Sequence, residues 1–271
     1  MARVIAKAQG VVLRARRMGE TSKLVTLYTA EYGKLKVTAK GARRPKSKYG
    51  AALEPLTESQ IVCYLRDDRE LQTLSDAEAI RVYGLSRDME RLGYASAGCE
   101  MVERLTIEQE PNPRLYRCLI GLLTGLEEVA AEQVESLFWY FQLRAAEALG
   151  YRPELGQCLS CGADMSQAAW GRYDPVSGGG LCPDCAVAAA VGEEEAPPGQ
   201  GARRLSGESA RFLAQLQSIR AYRRDSLPPT PERRGEIRSL LRGFFECHAG
   251  HGGRLRALDF LESVGHSSTQ V

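Results

Sequence analysis

Histidine is scarce in this chain. There are three in 271 residues, and His248, His251 and His266 all fall within the last 24 positions, in Gly-rich or tail sequence. The remainder therefore lacks the commonest biological general base, and no histidine lies near a candidate Ser or Cys nucleophile in an ordered pattern. A Walker loop is also missing, as is a G-x-G-x-x-G run after a strand pattern. The paired carboxylates Asp67-Asp68 sit in a polar turn between Arg66 and Arg69, and Gly178-Gly-Gly180 has no helix start behind it to cradle a phosphate. These absences weigh against a hydrolase or nucleotide-driven enzyme. No apolar run approaches the roughly 20 residues of a membrane span, and the N-terminal stretch lacks the apolar centre of a secretory signal. The expectation is a cytoplasmic protein with no membrane partner.

Acidic residues are nearly missing from the first 50 positions, which hold 13 Lys and Arg against 2 Asp and Glu. The formal net charge of +2 hides this asymmetry: residues 1–80 carry +6, residues 81–200 carry −9 and residues 201–271 carry +5. A basic head on an acidic middle points to a polyanionic partner at the head. Its densest part is Lys34–Lys48, where seven of fifteen residues are Lys or Arg and none is acidic. Lys34, Lys36 and Thr38 alternate with Leu35, Val37 and Ala39, the period of a half-buried strand. Arg43, Arg44, Lys46 and Lys48 follow in a Pro-punctuated loop. With Arg14, Arg16 and Arg17 they form a candidate phosphate-binding surface. The same pattern also suits a solvated edge strand whose lysines discourage sheet-to-sheet pairing.

Five strands are predicted in the first 82 residues: 4–16 with an interruption at Gly10, 22–29, a third beginning at Lys34, 60–65 and 71–82. They suit a small antiparallel barrel, either of the oligonucleotide-binding (OB) type or SH3-like. Between roughly Leu85 and Leu149 the spacing turns helical, with the i, i+3, i+4, i+7 pattern at 96–110 and 134–149 and Pro111-Asn-Pro113 separating two helices, and it is helical again at 205–219 and 232–248. The last of these carries Arg233, Arg234, Arg238 and Arg242 on its polar face. A short piece at 255–261 precedes a tail at 265–271 that is expected to fray. Phe138-Trp-Tyr-Phe141 spans most of one helical turn, so that helix is buried on more than one side or lends a ring to a groove for a partner. Tyr28, Tyr32 and Tyr49 are either core residues or platforms for bases.

Of eight cysteines, four form two tight pairs, Cys158-Leu-Ser-Cys161 and Cys182-Pro-Asp-Cys185, with 20 residues between them. Each two-residue gap lets both thiolates of a pair reach one ion, and two such pairs complete a tetrahedral four-sulfur site. With all four positions taken by cysteine, the expected cofactor is one structural Zn²⁺. Cys63, Cys99, Cys118 and Cys247 stand singly in apolar surroundings, as buried free thiols do in a reducing compartment. The domains read as 1–82 for the barrel, 83–154 with 192–271 for a helical domain, and 155–191 for the zinc module, followed by a Pro/Gly linker at 192–204.

In motif order the chain resembles the RecO family of bacterial recombination mediators. The resemblance rests on Gly19–Thr29, Gly33–Ser47 with its Gly41-Ala-Arg-Arg-Pro-Lys-Ser47, Leu53-Glu-Pro-Leu56, Ile61–Leu65, Phe138–Leu143, Gly150-Tyr-Arg-Pro153 and the two cysteine pairs. It implies an α+β multidomain architecture: an N-terminal OB-fold barrel, an α-helical domain and an inserted four-cysteine zinc module. It further implies binding of single- and double-stranded DNA and annealing of complementary strands without nucleotide hydrolysis. Its implied partners are a RecR ring and the acidic C-terminal tail of the single-strand-binding protein, with RecA loading as the outcome at the nucleoid. Some members lack the cysteines, so zinc rests on this chain's own four thiols. An interaction scaffold and a zinc-ribbon transcription or translation factor are the competing classes.

Overall fold

The structure is a computed structural model, and it describes residues 4–66, 68–165, 168–190, 203–223, 226–248 and 255–267. The chain forms two compact units, residues 1–127 with 255–271 and residues 128–254. Helices of the expected helical domain are thus divided between them.

In the first unit, β1 (Val4–Met18), β2 (Ser22–Thr29), β3 (Gly33–Ala39), β4 (Thr57–Leu65) and β5 (Leu71–Val82) close into a barrel of order β1-β2-β3-β5-β4. Every neighbouring pair is antiparallel except β3 and β5. Alternation is strict in β3, where Leu35, Val37 and Ala39 point inward and Lys34, Lys36 and Thr38 outward. The interior is filled by Val12, Val25, Leu27, Ile61 and Leu74 among small residues such as Ala6, Ala8 and Ala77, as a narrow barrel requires. A 3₁₀ turn at Gly50–Leu53 drives Ala52 and Leu53 into one end of that core. The following turn needs Leu56 at φ 62, held by its N–H on the Val12 carbonyl at 3.0 Å.

The register irregularity of β1 falls between Val12 and Arg14 and not at Gly10. Gly10 is instead a point of close approach, since a Cβ there would lie 2.8 Å from the Thr29 methyl. Three helices accompany the barrel. α1 (Met89–Leu105) starts seven residues before the periodic stretch 96–110 because Asp88 caps it, accepting from the N–H groups of Glu90 and Arg91. α2 (Pro113–Glu128) buries Leu115, Leu119, Leu122 and Leu126 along one stripe, and its first turn is held by Asn112 Oδ1, which accepts from the Leu115 N–H at 3.0 Å. The last helix, at Arg256–Ser267, packs on α1 with Leu261 against Gly93. It continues through the first part of the tail expected to fray, and residues 268–271 lie outside the described residues.

The second unit is built on α3 (Val134–Ala148), which is buried around most of its circumference. Phe138, Trp139, Tyr140 and Phe141 are all core residues, and Trp139 meets Phe212 edge-on with ring centroids 5.8 Å apart. The buried Glu135 carboxylate is matched by Arg238. A sheet of order β6-β8-β7-β9 follows, made of β6 (Glu154–Cys158), β7 (Trp170–Asp174), β8 (Gly179–Leu181) and β9 (Arg203–Ser206). The short α4 (Pro183–Ala190) leads out of β8. β9 takes Arg203 and Arg204 out of the expected linker, most of which lies outside the described residues. α5 (Gly207–Ser218) and α6 (Arg234–His248) complete the unit; with these in place, the helix at Arg256–Ser267 is α7.

Candidate nucleic-acid interface and metal centre

The nine basic residues expected to meet phosphate separate into two groups. Register places Arg14, Thr26 and Lys36 side by side across β1, β2 and β3, with Tyr28 and Lys34 paired one step further on the same outer face. This row is taken up by the chain itself. The Lys34 ammonium donates to the carbonyl oxygens of Glu103, at 2.7 Å, and Thr106, both at the C-terminal end of α1. Those are carbonyls that a helix leaves without intrahelical partners, at the negative pole of its dipole. Burial lowers the Lys34 pKa, opposed by the nearby Glu108 carboxylate. Lys36 pairs with Glu108, and Arg14 lies 3.8 Å from the Glu103 carboxylate.

Residues 106–112 run along β3 as a strap. The Gln109 N–H donates to the Lys34 carbonyl at 3.0 Å, and Lys34 and Glu108 form a parallel bridge. Gly33 allows the close approach: at φ 64, a Cβ would lie 2.1 Å from the Glu110 carbonyl oxygen. Tyr28 is fully buried beside this segment and Tyr49 is buried in the barrel core, while Tyr32 packs partly against that core. The core reading of these three rings holds.

The second group gathers at one end of the barrel. The β1–β2 turn and the loop 40–48 are tied together: the Arg43 N–H donates to the Thr21 carbonyl at 2.9 Å, and its Nη1 reaches the carbonyls of Gly19 and Glu20 at 3.0 and 2.7 Å. Tight turns at Gly41, with φ 73, and at Arg44–Ser47 shape the loop, and Ala42 and Tyr49 anchor it in the barrel core. Arg16, Arg17, Lys40, Arg44 and Lys46 stay exposed, and among the described residues their side chains make no hydrogen bond or ion pair. Lys40 was not among the nine, although its place at the end of the alternating run marked it. Lys48, also exposed, is drawn toward β5 by the Ser75 carbonyl at 2.6 Å and Asp76 at 3.2 Å. The loop is therefore prearranged, which reduces the ordering cost of binding a polyanion.

In the second unit, the four predicted cysteines converge, with all Sγ atoms within 4.8 Å of one another. Each pair sits on a tight turn, closed by the Gly162 N–H on the Cys158 carbonyl at 2.9 Å and by the Ala186 N–H on the Cys182 carbonyl at 2.8 Å. Cys161 and Cys182 Sγ are 3.7 Å apart. Burial pushes the Cys158 thiol up, but the N–H groups of Cys182, Cys161 and Ser160 outweigh it and bring its pKa down to about 6, favouring the ligating thiolate. Four sulfurs so placed could hold one metal ion.

The site residues define a barrel protein with a cationic end, joined to a unit bearing a four-cysteine cluster. The sequence model for Recombination protein O N terminal matches residues 1–83, and that for Recombination protein O C terminal matches residues 86–258. A DNA repair protein RecO of Pelotomaculum thermopropionicum is 34% identical over 263 residues, covering 96% of this chain and 95% of the relative. The protein of the same name from Anaeromyxobacter sp. (strain Fw109-5) is 35% identical over 261 residues, covering 96% of each, and that of Roseiflexus sp. is 33% identical over 259 residues, covering 95% of this chain and 85% of the relative. The chain belongs to the RecO family of DNA repair proteins.

Proposed function

We propose that this protein is a non-enzymatic DNA repair and recombination mediator. It binds single- and double-stranded DNA, anneals complementary strands and, with RecR, helps load RecA onto strands coated by the single-strand-binding protein, whose acidic tail it contacts. The observation that carries this reading is the set of exposed, unpaired cations on a preformed loop at one end of a closed barrel. The order β1-β2-β3-β5-β4 with its single parallel pair supports assignment of that barrel to the OB class.

In this proposal, DNA is held by Arg16, Arg17, Arg43, Arg44 and Lys46, with Lys40 and Lys48 beside them. Arg14, Lys34 and Lys36 serve chiefly to fix α1 and the strap. Annealing needs no reactive group: a cationic surface holding two strands lowers their repulsion and raises their effective concentration. The four thiolates bind one structural Zn²⁺ that stabilises a module inserted in the helical part of the chain, and the protein works at the nucleoid in the cytoplasm.

The test is annealing of complementary fluorescent oligonucleotides coated with single-strand-binding protein, comparing wild type with R44E/K46E. Arg43 is kept because it ties the β1–β2 turn to the loop. Annealing by wild type and its loss in the variant support the proposal. Equal annealing by both would move the DNA site elsewhere, and no annealing by wild type would favour an interaction scaffold.

A further inference from the structure

We infer that the outer face of the β7–β9 pair is a second nucleic-acid contact, one that stacks bases of a single strand on Trp170 and Arg204. Trp170 and Arg172 alternate on β7 with the buried Gly171 and Tyr173 and so share the opposite face of the sheet. Register sets Arg204 directly across from Arg172 and diagonal to Trp170. The Arg204 guanidinium lies over the indole, 5.0 Å from the ring centroid, and Arg204 itself is exposed. β9 is the edge strand of its sheet. Arg203, one residue before, points to the other face and donates to the Ser239 hydroxyl of α6, which holds the edge strand in place.

A partly exposed indole with a guanidinium over its ring offers aromatic and cationic surface together on one face of the sheet. Bases stack on aromatic rings and on guanidinium planes without regard to sequence, and the positive charge favours the adjoining phosphates. An aliphatic partner would have little use for the exposed Arg204 guanidinium here, and duplex DNA offers no unstacked base. The fit is to a single strand. This inference rests on the reading of the chain as a DNA-binding protein but concerns a different surface from the barrel end.

The chain reports on this face directly. It has two tryptophans; Trp139 is buried within α3, so a change in emission on adding an oligonucleotide reports on Trp170. Wild-type protein is titrated with oligo(dT) while binding is followed by the oligonucleotide's fluorescence anisotropy and stacking by tryptophan emission. W170F, W170A and R204A are carried in parallel, with zinc content checked to show that the module has folded. The inference predicts quenching in wild type, none in W170F, and binding weakened about five-fold or more in W170A and measurably in R204A. If the oligonucleotide binds without a change in emission and W170A binds as wild type does, the inference is wrong while the barrel reading stands. If the oligonucleotide does not bind at all, both fall. Quenching by an acidic peptide and not by oligo(dT) would overturn it in favour of a protein dock.

Discussion

Lys34 is a cation placed at the negative end of a helix, and its ammonium is directed into the fold. It meets two carbonyls at the end of α1, from residues 69 and 72 positions away in sequence. Its neighbour Lys36 looked identical in the alternating pattern, and nothing within the strand distinguished either from a phosphate ligand. The distinguishing partners, Glu103, Thr106 and Glu108, lie in the stretch 96–110, whose own pattern reads as helix throughout, whereas α1 ends at Leu105. Replacing Lys34 with Met should lower stability by about 1–2 kcal/mol, the size of a charge-assisted cap in a partly buried setting, and leave DNA affinity within two-fold. Denaturant unfolding and oligonucleotide binding on the same variant check this. Glu236 offers a second residue-scale test. Burial pushes its carboxyl up, but the hydroxyls of Ser206 and Ser209 and the Ser206 N–H, at 2.6, 2.8 and 3.1 Å, hold it below its ordinary 4.5. A carboxyl depressed in the folded state stabilises at neutral pH, and that contribution is lost as pH falls below about 4.5 through the folded value. E236Q should therefore be about 1–2 kcal/mol less stable than wild type at pH 7, with the gap closing as unfolding is followed down toward pH 3.

Among the elements, those with a strong local period were legible: the five barrel strands, α2 and the two cysteine turns. The barrel's ends were clear as well, because Arg66–Glu70 and Gly41–Ser47 are turn chemistry between apolar runs. Strand β9 was not legible, since four residues carry too little periodicity and its partner β7 lies 33 positions earlier, counted from Trp170 to Arg203. The start of α1 lies within the helical region expected from about residue 85, but its first turn carries no apolar period because Asp88 follows a short 3₁₀ turn and Met89 and Glu90 are exposed. The four aromatics of α3 could not be divided between core and groove from the helix alone, because neighbours contributed by α5 and α6 decide it. Around the four cysteines, the buried cluster among the described residues consists of Cys158, Cys182 and Met165, with Leu181 and Cys185 against it. On the proposed zinc reading, a chelator should unfold the 158–185 module, seen as loss of amide protection there, and leave barrel amides protected. Collapse of protection in both regions would show that the barrel depends on the metal.

Across the whole molecule, the charge asymmetry marked the proposed binding region but not how its cations divide between faces. Composition placed the excess cations in the first 50 residues, and folding then divided them, with one row paired to carboxylates of α1 and the strap and to carbonyls at the end of α1, and one loop left in solvent. The family match agrees with the order of motifs along the chain, while the division of the basic residues into a paired row and an exposed loop is a property of this fold that no linear pattern carries. The most direct measurement is the salt dependence of single-strand affinity for wild type, R44Q/K46Q and K36Q. Each phosphate engaged on a single strand contributes about 0.7 to the slope of log affinity against log salt. If the barrel end holds the DNA, R44Q/K46Q should flatten the slope by roughly 1.4 and K36Q should leave it unchanged. A flattened slope in K36Q with an unaltered one in R44Q/K46Q would place the DNA on the strap-covered face and contradict the assignment made here.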